Sequence, residues 1–154
     1  MKILKYFFEF IFIGFLFLFF SLLGLKFSSK LGEIIVGTFG PFFRSKKIID
    51  SNILKALPNI DFKRLDTIRN SMWKNYGKIL SEYMFLKDFR NSKYESNIKI
   101  EGEKILETIK INNKPVIFIS GHFNNFELMA MQIEKSGIKL AAIYRPLNNI
   151  FLNR

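Results

Sequence analysis

Val116-Ile117-Phe118-Ile119, then Ser120-Gly121-His122-Phe123-Asn124, then N-F-E-L-M-A-M-Q-I-E-K-S-G-I-K-L-A-A-I-Y over residues 125–144, is the stretch on which the fold reading turns. Four consecutive apolar residues, β-branched or aromatic, have the composition of a strand buried on both faces of a parallel sheet. Ser120–Asn124 predicts a turn, and Phe126–Lys135 predicts a helix stopped by Ser136-Gly137. Leu140–Tyr144 is then a second buried strand. About twenty residues lie between the two, enough for a helical crossover. The stretch therefore predicts a right-handed βαβ unit. Upstream, Ile98-Lys99-Ile100 alternates like a short strand, Gly102 breaks it, Glu103–Ile111 reads as a helix, and Asn112–Pro115 as a turn. The predicted fold class is α/β, with the start of a parallel sheet in the last third of the chain.

Further upstream the pattern is helical. Leu31, Ile34, Ile35, Thr38 and Phe39 recur at helical spacing and end near Gly40-Pro41. Ile48, Ile49, Ile53, Ala56 and Leu57 repeat the pattern and stop at Pro58. A longer helix is predicted from Phe62 to about Leu86, with Asp61 as its N-cap. Its aromatic stripe, which includes Trp73, Tyr76 and Tyr83, reads as packing. The polar stretch Lys87–Ser96 is predicted to be a loop.

The N-terminus is the least ordinary region. Phe10–Leu25, F-I-F-I-G-F-L-F-L-F-F-S-L-L-G-L, is sixteen residues without a charge. Its apolar residues face every direction, which a core helix in so small a chain has little room to bury. No Ala precedes Ala56, and no small-x-small cleavage site follows the run, so it does not read as a cleaved signal peptide. Residues 1–27 are therefore predicted to be a membrane anchor, single-pass or otherwise, and residues 28–154 the body. Sixteen helical residues reach about 24 Å, short of the ~30 Å hydrocarbon core. Residues Ile3–Phe8 and Phe27, with snorkelling Lys5 and Lys26, extend the reach. Lys2 and Lys5 precede the run, while Lys26, Lys30, Arg44, Lys46 and Lys47 follow it. That excess predicts a body on the cytoplasmic side of the membrane.

The chain has 154 residues, 24 cationic against 13 anionic side chains, a net charge of +11, 19 Phe, one His and no Cys. A single ordinary domain is the most this length allows. Without Cys there are no disulfides, no Cys-rich zinc site and no thiol nucleophile. With one His there is no multi-His metal site. The cations after the anchor are assigned to anionic lipid headgroups rather than to nucleic acid.

In open parallel sheets, ligands bind beyond the carboxyl ends of the strands. That edge carries His122 after the first strand and Arg145-Pro146 after the second. Glu127 follows His122 by five residues. On a continuous helix the two would stand about 140° apart, so they meet only if His122 lies in the turn and Glu127 in the first helical turn. Glu127 would then hold the imidazole in one tautomer and stabilise its charged form, leaving His122 to act as a general base. Ser120 lacks the G-x-S-x-G elbow of a serine nucleophile, so the pair suits activation of a substrate hydroxyl. A second reading stands beside this one. Asn124-x-x-Glu127 has capping-box spacing, so Glu127 caps a helix and His122 satisfies loop carbonyls. Arg145 is likewise open between gripping a phosphate bidentately and making a structural ion pair.

Ile119–Glu127, I-S-G-H-F-N-N-F-E, resembles the H-x-x-x-x-E block of the lipid A late acyltransferases, the lauroyl and myristoyl transferases within the lysophospholipid acyltransferase-like group. That block usually reads close to G-H-F-G-N-W-E; here Asn124 replaces the Gly and Phe126 the Trp. The N-terminal anchor, Asn52–Pro58 (N-I-L-K-A-L-P), Asn75–Glu82 (N-Y-G-K-I-L-S-E) and Ile143–Leu147 (I-Y-R-P-L) also resemble the family, in order along nearly the whole chain. The likeness corresponds to the N-terminal half of a family member, so it implies a truncated start of a glycerolipid-acyltransferase-type sheet. It implies a fatty acyl transfer from an acyl carrier protein thioester to a hydroxyl of a lipid A precursor, at the inner membrane and without metal or bound cofactor. His122 and Glu127 take the catalytic roles, and Arg145 and Asn125 bind substrate. An inactive anchored remnant, half of a split enzyme, or an enzyme acting on another glycolipid or a lysophospholipid are the alternatives.

Overall fold

Residues 2–153 are described by a computed structural model. Six α-helices and four short 3-10 turns account for its regular structure: α1 (Lys2–Phe39), α2 (Lys46–Ala56), α3 (Phe62–Glu82), α4 (Leu86–Arg90), α5 (Glu103–Asn112) and α6 (Glu127–Lys135). The chain forms two compact units, one from residues 2–18 and 85–153, the other from Phe19–Met84.

The helical expectations are largely met. α1 ends at Phe39, and Gly40-Pro41 begins a 3-10 turn, because proline cannot continue the ladder. α2 closes at Ala56, two residues before Pro58. Asp61 caps α3, its carboxylate accepting from the Arg64 N–H at 2.8 Å. The predicted loop over Lys87–Ser96 is corrected: α4 covers Leu86–Arg90 and a 3-10 turn covers Glu95–Asn97. Phe85 and Phe89, four apart, are both buried and supply the apolar anchor for that short helix.

The α/β expectation is overturned. Among the described residues there is no strand. Ile98–Ile100, Val116–Ile119 and Leu140–Tyr144 lack ladder pairing, and a cleft of about 670 Å³ is lined by parts of the latter two together with the end of α5. A parallel pair persists when both faces are covered. Here Ile117, Ile119 and Ile143 are 90%, 93% and 106% exposed, so pairing would bury little of the surface that drives it. The crossover helix α6 forms; the sheet it was predicted to join does not.

In the second unit, α1 and α3 approach at two glycines. A methyl group on Gly32 would strike the Gly77 carbonyl oxygen, and a methyl on Gly77 would strike that of Gly32. Ser28 and Ser81, both fully buried, continue this small-residue contact. α1 itself breaks at Gly24, whose φ of 75° and ψ of 163° suit glycine alone. The Ser28 hydroxyl donates to the Phe20 carbonyl at 2.6 Å, satisfying an acceptor in the last turn before the break. α2 is tied to α3 by the nearly buried Arg69, which donates to Asp50 at 2.6 Å and also pairs with Asp66.

Candidate active site

His122 occupies a tight non-helical turn. The Phe123 N–H donates to the Gly121 carbonyl at 2.8 Å, so His122 is the middle residue of a three-residue turn. Asn124 follows in the left-handed region at φ 50°, a conformation that asparagine tolerates. The Phe126 N–H donates to the Asn124 carbonyl at 3.1 Å, placing Asn125 at the centre of a second such turn. α6 then opens with Glu127 as its first residue. His122 and Glu127 are thus separated by a non-helical segment, as the sequence predicts.

The His122 side chain is exposed. Its ring stands edge-on to Phe126, with centroids 4.4 Å apart. Glu127 is half-buried and lines a groove of about 310 Å³ with Leu86, Lys87, Arg90, Ala130 and Met131. No hydrogen bond joins His122 to Glu127. The capping-box alternative does not form either: Phe126 takes the N-cap position and no side chain caps the helix. The acid at the first position still faces the positive end of the α6 dipole.

Arg145 is exposed on the segment that follows Tyr144 and makes no ion pair among the described residues. Asn153 holds the loop beyond it. The Leu147 N–H donates to Asn153 Oδ1 at 2.7 Å, and Asn153 Nδ2 donates to the Leu147 carbonyl at 2.6 Å. Arg145 is not hydrogen-bonded to His122 or Glu127. Asn125 is half-buried, and its carbonyl accepts from the Leu128 N–H at 3.2 Å.

Sequence reasoning missed Lys87 and Arg90, because α4 read as loop. Phe85 and Phe89 at i, i+4 are the signal that could have found it. Arg90 joins α4 to α6 by hydrogen-bonded contact with Glu134 at 2.6–2.7 Å. That bond, and the guanidinium charge, hold the Glu134 carboxyl below its usual range and raise Arg90. Among the described residues no three His, Asp or Glu side chains converge as metal ligands would.

The turn thus presents an exposed imidazole and, at the head of the next helix, a glutamate that lines a groove with Lys87 and Arg90. No curated protein and no solved structure shows a significant match to the chain. The bacterial lipid A biosynthesis acyltransferase family matches it over residues 1–154, the full length, with the His122–Glu127 block inside the matched region. By that match the chain belongs to the bacterial lipid A biosynthesis acyltransferase family.

Proposed function

We propose that the chain transfers a fatty acyl group from an acyl carrier protein thioester to a hydroxyl of a lipid A precursor, at the cytoplasmic face of the inner membrane. The observation that carries this is the family match over every residue, taken with the position of the single His in an exposed turn ahead of Glu127. His122 removes the proton from the acceptor hydroxyl as its oxygen attacks the thioester carbonyl. Glu127, which reaches the ring once substrate closes the site, stabilises the imidazolium. The tetrahedral oxyanion collapses, the C–S bond breaks, and the carrier thiolate takes the proton back from His122. Backbone donors for the oxyanion come from the turn before α6. The Phe123 and Phe126 N–H groups are engaged within that turn. Asn125 shapes the turn, and Arg145 grips an acceptor phosphate through its guanidinium. Residues 1–27 supply the anchor and residues 28–154 the body that carries the chemistry.

The test is turnover by the purified chain in mixed micelles, with an acyl carrier protein thioester and a lipid A precursor, and lysophospholipid in parallel. Ester on the lipid A precursor with stoichiometric release of carrier thiol is expected, and His122→Ala should lower it by roughly 10²–10⁴-fold. Turnover unchanged in His122→Ala sinks the mechanism. A preference for lysophospholipid transfers the acceptor assignment to that class.

A further inference from the structure

Gly40 sets the geometry of the turn that follows α1. A methyl group on it would strike the six-membered ring of Trp73, so the turn is pressed against α3 at that point. The Phe43 N–H donates to the Gly40 carbonyl at 2.9 Å and closes the turn. With its base fixed in this way, the turn holds the next residues outward. Every residue from Pro41 to Ile48 is exposed, and Phe42 and Phe43 are each 85% exposed. Phe39 just before them is exposed too, as is Tyr76 of α3, whose ring lies 6.2 Å from that of Trp73. Single exposed apolar residues are ordinary, but adjacent phenyl rings on a fixed turn mark a contact surface. The charge beside them is of one sign. Arg44, Lys46 and Lys47 are exposed and make no ion pair among the described residues. No acid occurs between Glu33 and Asp50 in the sequence. Those two are already engaged, Glu33 by Lys30 and Lys78, and Asp50 by Arg69.

The occupant of this turn must offer negative charge at its surface and apolar material just beneath. An anionic bilayer has that order: long cationic side chains lay their stems along acyl chains and their heads among phosphates, and apolar rings settle at the boundary. Single-stranded nucleic acid also supplies anions and faces for stacking, but continuity along the chain decides for lipid. The apolar segment Lys2–Phe42, long enough to cross a bilayer, runs directly into the turn. In the part of α1 beyond the Gly24 break, Phe27, Lys30, Ile34 and Thr38 recur at spacings of three and four and are exposed. Ser28 and Gly32, on the flank behind, are buried at α3. The break frees this part of the helix from the axis of the apolar run before it. We infer that the turn after α1 is a membrane-docking wedge. Phe42 and Phe43 enter the boundary between headgroups and acyl chains of an anionic bilayer, and Arg44, Lys46 and Lys47 hold its phosphates. The inference rests on the reading of residues 1–27 as an anchor, and it adds a second contact that does not span. That contact keeps the second unit at the surface in which a lipid acceptor lies.

The natural lack of cysteine lets a single one carry a probe. Ser45→Cys, labelled with an environment-sensitive fluorophore, reports on the turn and leaves both phenylalanines in place; the Ser45 side chain makes no cap to α2. Asn59→Cys, exposed in the turn between α2 and α3, is the reference. Each full-length chain is reconstituted into vesicles containing phosphatidylglycerol and a lipid with a nitroxide at the top of its acyl chain. The expected result is an emission shift to shorter wavelength at Ser45 and quenching several-fold stronger there than at Asn59. Phe42→Ser with Phe43→Ser should abolish that difference while the melting temperature stays near the parent, since both rings are exposed. Lys46→Glu with Lys47→Glu should lower the quenching in anionic vesicles at low salt to the level seen in neutral ones. A Ser45 probe that stays aqueous on a chain retained through a carbonate wash overturns the wedge alone. Shielding of the probe that needs no vesicles and grows with protein concentration also overturns it, in favour of a contact between copies. Release of the chain by the carbonate wash overturns the anchor reading, and the wedge falls with it.

Discussion

At the residue scale, the proposed site is a pair of side chains whose spacing was readable and whose arrangement was not. The five-residue interval required a turn between His122 and Glu127, and the structure has that turn, with Asn124 at positive φ. The sequence could not show that the imidazole would stand against Phe126 rather than against the carboxylate, because that depends on side-chain torsions that no spacing encodes. Glu127→Gln separates the roles open to this acid. It keeps size and hydrogen-bonding capacity but removes the charge that stabilises an imidazolium. Turnover by Glu127→Gln should fall to near the level of Glu127→Ala while its melting temperature stays close to the parent. The double variant with His122→Ala should lose little beyond the worse single, since the pair acts as a unit. Near-parental turnover in Glu127→Gln, with lowered thermal stability in Glu127→Ala, would make Glu127 a structural residue.

At the element scale, helices were legible because their signals are local: a cap at Asp61, stops at Gly40-Pro41 and Pro58, an apolar period between them. Strands were not, because a strand is defined by its neighbour. Val116–Ile119 has the composition of a buried strand, yet composition supplies neither a pairing partner nor a layer to cover Ile117 and Ile119. The helix contacts make sharper predictions. Gly77→Ala pushes a methyl into the Gly32 carbonyl, so it should destabilise the second unit by about 1–3 kcal/mol, read from thermal or denaturant unfolding. Alanine at exposed Ser71 of the same helix should be neutral by comparison. The α4–α6 contact should respond to acid. The Glu134 carboxyl is held low by Arg90, so its contribution is present above the ordinary Glu pKa of about 4.3. It is lost as pH falls through the lowered folded value. Arg90→Gln should remove that part of the acid dependence, measured as the difference between melting temperatures at neutral pH and near pH 3. An unchanged acid limb would show that the pair contributes nothing.

At the scale of the whole molecule, charge and apolarity make separable predictions about a lipid surface. The excess of +11 and the exposed apolar side chains of α1 both favour an anionic bilayer, but they respond differently to salt. Vesicles containing anionic lipid should bind the chain more tightly than neutral ones at low ionic strength. The difference should shrink toward zero near 1 M salt, where the screening length is about 3 Å, while the residual binding to both persists. Flotation or co-sedimentation across a salt series reads this; equal binding to both vesicle types at low salt would remove the electrostatic part. Asn149 donates through Nδ2 to the Tyr6 carbonyl at 2.9 Å and to the Glu9 carboxylate at 3.2 Å, and this clasp imposes an order in time. Its two ends are 140 residues apart in sequence. At synthesis rates of about 5–20 residues per second, the N-terminal helix exists for roughly 7–28 seconds before its partner leaves the ribosome. During that interval both flanks of the helix are bare. The nascent chain must therefore be handed to a membrane or a chaperone with its greasiest segment unshielded, and the clasp closes only after Asn149 has emerged.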